Sequence, residues 1–388
     1  MPIVNRVADL QSEIAEWRRD LHAHPELMFD VNRTAGVVAE KLREFGCDEV
    51  VTGIGRTGVV GVIHGRKGTS DKAIGLRADM DALPIEEATG LPYKSTVAGK
   101  MHACGHDGHT AMLLGAARYL ADTRNFAGSA VLIFQPAEEG GGGGKVMVQD
   151  GLMDRFKIGE VYGMHNLPDL PVGQFALRPG PTMAAADFMS IEIEGKGGHA
   201  ARPHFSVDSV LVGAQIVNNV QSIVSRNVDP LESAVISICT FHAGNTDNVI
   251  PQTAQLRGTA RSLSPDVRDL LERRLKEVVE ATAAQHGAKA TLKYRRGYPV
   301  LINHAAQTDF AAKVAREVAG GEKVDADMPP VMGAEDFSFM LNARPGAFIF
   351  VGNGESAGLH HPAYDFNDEA IPFGTSYWVK LVETALAG

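Results

Sequence analysis

The chain has 388 residues, 44% of them apolar and 22% charged, a composition that suits a well-cored globular protein of roughly two to three domains and excludes a disordered chain. A formal net charge of −10 argues against a nucleic-acid surface, which needs basic patches, and no apolar run is long enough to span a bilayer. Cys47, Cys104 and Cys239 are too few, and odd in number, for a disulfide framework.

The first residues carry no basic-then-apolar leader pattern. They read as an amphipathic helix over residues 7–22, a start that favours the cytoplasm. A second helix is expected over 34–45 and a third over 110–120. Apolar strands are expected at 59–64, 73–77, 130–135 and 161–164. Strands alternating with helices imply βαβ units and a mainly parallel sheet covered on both faces. From residue 187 the pattern changes. Residues 188–194 alternate with period two, and 207–224 place Val207, Val210, Leu211, Ala214, Val217 and Val220 at helical spacing. Two further strands follow at 234–241 and 253–262. Ser264 and Pro265 form an N-cap and N1 pair, opening a helix that stops near Gly287. A last strand covers 288–294. The order βαββαβ is the split pattern of a ferredoxin-like layer. Residues 187–295 therefore read as a domain inserted between residues 1–186 and 296–388 of one α/β domain, the last part carrying a buried strand at 347–352.

Chemistry-bearing residues gather at element ends. His102, Cys104, His106 and His109 fall in one short stretch just before the third helix. Thiolate and imidazole are good ligands for late first-row metals, and packing alone accounts poorly for such a cluster. Glu138 and Glu139 lie just past the strand at 130–135, on the sheet edge where open α/β folds bind ligands. Taken alone the pair reads as a solvated acidic turn. Beside a metal, one carboxylate can ligate while the other accepts a proton. His165 ends a short apolar strand, and His360 and His361 follow another. Asp79 and Asp81 follow the strand at 73–77, where they ligate, orient a ligand histidine or cap a turn. The glycine run at 140–144 lacks the Lys-Ser/Thr of a phosphate loop.

With these residues laid out, the chain resembles the M20 metallopeptidase family, in the branch of hippurate hydrolases, bacterial N-acyl-amino-acid deacylases and plant auxin-conjugate hydrolases. The resemblance covers almost the whole chain. It rests on HPE at 24–26, RADMDALP at 77–84, HACGHDGH at 102–109, QPAEEG at 135–140, GMHN at 163–166, GGHAARPH at 197–204, NVIP at 248–251, MGAEDF at 332–337 and LHHP at 359–362 with Tyr364 after it. It implies a two-metal α/β catalytic domain carrying an inserted lid and dimerisation domain. Cys104, His106, Glu139, His165 and His360 match the metal ligands, with His361 the competing choice for the last. Glu138 matches the general base. His199 matches a histidine of the smaller domain that reaches an active site, in relatives often the partner subunit's. Asn248 and Arg261 match positions that hold a substrate carboxylate in other branches. Relatives outside this branch carry a ligating histidine where this chain has Asp79, so Asp79 and Asp81 are placed behind the ligands.

The resemblance implies two divalent ions per subunit (zinc, manganese, cobalt or nickel) and hydrolysis of the amide of small N-acyl amino acids by activated water, with Cys104 a ligand rather than a nucleophile. The partners implied are a small-molecule substrate and a second copy of the chain, with neither nucleic acid nor membrane. A dipeptidase or carboxypeptidase on the same scaffold is the competing enzyme. A non-catalytic metal store leaves Glu138 without a purpose. A structural zinc site fits poorly with paired carboxylates, because such sites are usually closed by Cys and His alone.

Overall fold

A computed structural model describes residues 4–388. In chain order its main elements are α1 (Gln11–Ala23), α2 (Asn32–Glu44), β1 (Glu49–Ile54), β2 (Gly58–His64), β3 (Ala73–Asp79), α3 (His106–Thr123), β4 (Ser129–Gln135), β5 (Glu160–Pro168), β6 (Phe175–Ala176), β7 (Ala185–Glu194), α4 (Ser209–Asn227), β8 (Ala234–Ala243), β9 (Thr253–Ser262), α5 (Pro265–Gln285), β10 (Lys289–Arg296), α6 (Ala305–Ala319), β11 (Val324–Asp325), β12 (Gly346–Gly354) and α7 (Ile371–Ala385). The chain divides into two units. One comprises Met1–Gly180, Ile302–Pro329 and Asp336–Gly388; the other comprises Pro181–Leu301 and Pro330–Glu335.

The first unit is built on an eight-stranded sheet in the order β1, β2, β4, β3, β5, β12, β6, β11. Its centre is parallel: β4 with β3, β3 with β5 and β5 with β12. Strand β3 is buried at every position, and so is β4 beyond its first residue, as expected of parallel strands covered on both faces. Helix α3 is buried along most of its length, which explains its near-continuous apolar character. Asp79 and Gln135 stand opposite each other at the carboxyl ends of β3 and β4, so the residues that follow both strands emerge at one edge. The helix expected over 7–22 is interrupted. A short helix, Asn5–Asp9, precedes α1, and the Leu10 N–H is shared between the Arg6 and Val7 carbonyls. Strand β1 escapes the sequence pattern because it is an edge strand with only Ile54 buried.

The second unit is a ferredoxin-like layer. Its sheet runs β8, β9, β7, β10 with every pair antiparallel. Ile191, Ile193 and Leu256 of the sheet pack with Val212, Ile216 and Val220 of α4 and Leu271 and Leu275 of α5. Asp208 caps α4 by accepting the Val210 and Leu211 N–H groups, and Ser264 caps α5 ahead of Pro265. Among the described residues no helix is long and apolar enough to cross a membrane.

Candidate metal centre

Cys104 precedes Gly105, which caps the N-terminus of α3 in the left-handed conformation at φ 87°. A helix N-terminus favours a thiolate beside it. His106 is the first residue of α3. Its Nδ1 donates to the Asp81 carbonyl at 2.7 Å, which leaves the Nε2 lone pair facing inward. The His165 ring is fixed in the same way: Nδ1 donates to the Asn166 carbonyl at 2.6 Å, and Nε2 lies 3.4 Å from Cys104 Sγ.

Two short turns complete the group. Past β4, Ala137 holds φ at 55°, and the Asp81 carboxylate accepts the N–H of Glu138 at 2.9 Å and of Glu139 at 3.1 Å. On the second turn His360 has φ 65°. Its N–H donates to the Ala103 carbonyl at 2.7 Å, and its Nε2 stands 3.2 Å from Glu139 Oε1. A non-glycine residue in the left-handed region costs on the order of 1 kcal/mol and concentrates at functional sites. His361 is exposed, and its Nδ1 accepts the Ala363 N–H.

These atoms fall into overlapping groups of three, and His106 also stands in one with Asp79 and His109. Cys104, His106 and His165 bring their donor atoms within 4.8 Å of one another, and so do Cys104, Glu139 and His360; His106, Glu138 and Glu139 form a third such group. Cys104 belongs to the first two. Among the described residues the buried His106 Nε2 has no hydrogen-bond partner, and Glu139 Oε1 faces the ring nitrogen of His360, itself a proposed ligand. An orphaned buried nitrogen costs about 1–3 kcal/mol, and a bound cation is what would satisfy the His106 nitrogen and the Glu139 carboxylate together. The sulfur, nitrogen and oxygen donors suit a late first-row divalent ion.

The surroundings favour the protonated forms of Cys104, His106 and His360 and the neutral form of His165. Burial, together with Glu139, pushes the Cys104 thiol up. Hydrogen bonds to Cys104 and Glu139 push His360 up to about 10. Burial opposes a charge on His106, but Asp79 and Cys104 outweigh it and hold its pKa well above the ordinary value. Burial, then His109, pushes His165 well down.

Asp79 and Asp81 lie behind these residues. Asp79 Oδ2 accepts Arg77 Nη1 at 2.6 Å, and Oδ1 accepts His109 Nδ1 at 2.6 Å. The His109 Nε2 accepts the Asn166 N–H at 2.9 Å, so both its ring nitrogens are committed within the protein. His102 is buried, and among the described residues neither of its ring nitrogens has a hydrogen-bond partner; burial pushes its pKa down to about 4. It stands outside the trios.

Sequence reasoning assigned no role to several residues that hold this group. Arg77 also donates to Gln135 Oε1 and Asp336 Oδ1. Asn166 and Tyr364 share a hydrogen bond. The motifs contain these residues, but nothing local tells a ligand from its support.

In the second unit, His199 is exposed on a two-residue strand opposite Val249, and the Ala200 N–H reaches the Asn248 carbonyl. Asn248 immediately precedes the facing strand, Val249–Ile250. Arg261 lies elsewhere, on β9, half-buried, donating to Thr259 Oγ1 and the Ala260 carbonyl.

Comparison with known proteins gives a consistent result. Residues 75–384 match Peptidase family M20/M25/M40. The chain is 44% identical over 381 residues to the hippurate hydrolase of Campylobacter jejuni, covering 98% of each chain. It is 41% identical to the N-acetyl-L-cysteine deacetylase of Bacillus subtilis, covering 94% of this chain and 86% of the relative. Among solved structures it is similar to the Bacillus subtilis YxeP protein, described as a dinuclear metal binding peptidase from the M20 family, at 34% identity and a TM-score of 0.85, covering 98% of this chain and 99% of that one.

Proposed function

The chain belongs to the peptidase family M20/M25/M40 and is a metal-dependent amidohydrolase of N-acyl amino acids; we propose that Cys104, His106, Glu139, His165 and His360 hold two divalent ions and that Glu138 is the general base. The observation that carries this reading is the pair of donor trios sharing Cys104, with Glu138 beside them.

Bound there, two divalent ions would polarise the amide carbonyl and bring the pKa of water from about 15.7 toward about 7. The protein's own part is proton transfer and placement. Glu138 is buried and adjacent in sequence to Glu139, so it stays next to the ligand set without belonging to either Cys104 trio. It takes the proton of the attacking water and delivers it to the leaving nitrogen, giving a carboxylic acid and a free amino acid. Cys104 is a ligand. Its buried thiol, held above its ordinary pKa in the ion-free protein, is a poor free nucleophile. We assign His199 to stabilising the oxyanion, and Asn248 and Arg261 to the substrate carboxylate. Zinc, manganese, cobalt and nickel all suit the donor set.

A homodimer through the second unit is part of the proposal. Strand β8 is an edge strand with Val235 and Phe241 exposed, and α4 exposes Val210 and Leu211; exposed edges and apolar patches favour association. We place the enzyme in the cytoplasm, since its three unpaired cysteines suit a reducing compartment.

The test is amine release from hippurate, N-acetyl amino acids and dipeptides, with and without chelator. Chelator-sensitive release from the N-acyl substrates is expected. Release from dipeptides alone would favour the peptidase reading.

A further inference from the structure

The proposed ligands come from segments far apart in sequence, and one buried pair ties three of those segments together. Asn166 follows His165 and is fully buried, as is Tyr364, four residues past His360. Asn166 Nδ2 donates to the Cys104 carbonyl at 2.7 Å. Asn166 Oδ1 accepts the Tyr364 hydroxyl at 2.7 Å. The Asn166 N–H reaches His109 Nε2, and His109 donates onward to Asp79. Gly105 is seated against the same pair: a Cβ there would overlap the Asn166 amide and the Tyr364 hydroxyl. The His360 N–H closes the ring on the Ala103 carbonyl.

We propose that Asn166 and Tyr364 are positioning residues that clamp the Cys104, His165 and His360 segments into one frame, fixing Cys104 where both donor trios share it. This rests on the reading of those residues as ligands. A polar pair buried only for packing has no need to end on the carbonyl of the shared ligand. Here the Tyr364 hydroxyl fixes which way the Asn166 amide faces, and that amide in turn holds the Cys104 peptide. Without the hydroxyl, Asn166 Oδ1 loses this donor, and the hold of its amide on Cys104 rests on Nδ2 alone, which it shares with His109 Nε2 at 3.1 Å.

The experiment titrates ion-free wild-type and Tyr364→Phe protein with cobalt(II). It follows stoichiometry, affinity and the near-ultraviolet thiolate-to-cobalt absorption, together with ion-free thermal unfolding and steady-state kinetics. Tyr364→Phe is expected to bind cobalt roughly 10–100-fold more weakly, with an altered thiolate band, an ion-free unfolding temperature close to wild type, and kcat reduced more than KM is raised. Asn166→Ser, too short to span both partners, is expected to behave alike and serves if the first variant fails to fold. Wild-type cobalt affinity and band in a folded variant overturn the clamp, and so does a loss of ion-free stability with cobalt binding unchanged. A wild-type protein that takes up no cobalt overturns the reading of the ligands and this inference with it, whereas a loaded wild type matched by the variant overturns the clamp alone.

Discussion

The Asp81 carboxylate accepts the backbone N–H of Glu138 at 2.9 Å, and the Asp81 carbonyl accepts Nδ1 of His106 at 2.7 Å. Asp81, two residues past β3, thus orients both the proposed base and a proposed ligand. Glu138 is held through its backbone, so its side chain can be replaced without undoing the turn. Glu138→Ala is expected to lower kcat by roughly 100-fold or more while metal content, measured by elemental analysis, stays near wild type. A variant turning over at the wild-type rate would remove Glu138 from the reaction.

Cys104 alone belongs to both trios that hold the remaining proposed ligands. Cys104→Ala should therefore lose both ions, whereas His360→Ala should keep one, held by Cys104, His106 and His165. Metal-to-protein ratios after extensive dialysis decide this. A Cys104→Ala protein that keeps both ions contradicts the shared placement.

The ion-free protein should lose stability in alkali because of His22. Burial opposes the charge on His22, but hydrogen bonds to Asp107 and Glu87 outweigh it and push its pKa up to about 9. A free imidazole titrates near 6.5, so the folded state binds this proton more tightly than the unfolded one. The stabilisation is complete below about pH 6.5 and is lost as pH rises through about 9; each tenfold in proton affinity is worth about 1.4 kcal/mol. Chemical denaturation between pH 6 and 10 measures it. In His22→Gln this part of the alkaline loss should vanish, and an unchanged profile would assign it to other groups.

Arg77 is fully buried, with Nη1 on Asp79 and Nη2 on Asp336. Arg77→Met removes the cation from both carboxylates at once. Breaking such a buried pair from one side costs about 3–5 kcal/mol. A drop of that size in unfolding free energy is expected, and a loss below 1 kcal/mol would mean that the two carboxylates find other compensation.

His199 carries the proposal for the oxyanion. Losing one such donor typically costs about 3 kcal/mol of barrier, on the order of a hundredfold in rate. His199→Ala is expected to lower kcat by that much without changing metal content, since the residue belongs to none of the donor groups. A loss under tenfold would assign the role elsewhere.

The sequence alone carries the α/β architecture and the βαββαβ layer. Both are written in short-range periodicity and capping, as the alternation at 188–194 and the Ser264-Pro265 start of α5 make plain. It also carries the donor types, because Cys104 with nearby histidines and the adjacent pair Glu138–Glu139 are local motifs. What only the tertiary structure decides is how those donors divide between trios and supports. His109 sits in the same motif as His106, yet its Nε2 is taken by the Asn166 N–H, while His106 Nε2 has no hydrogen-bond partner among the described residues. His360 and His361 are adjacent, and a left-handed turn puts His360 beside Glu139. Whether a side chain's lone pair is free depends on hydrogen bonds from segments far away along the chain, and no periodicity encodes those.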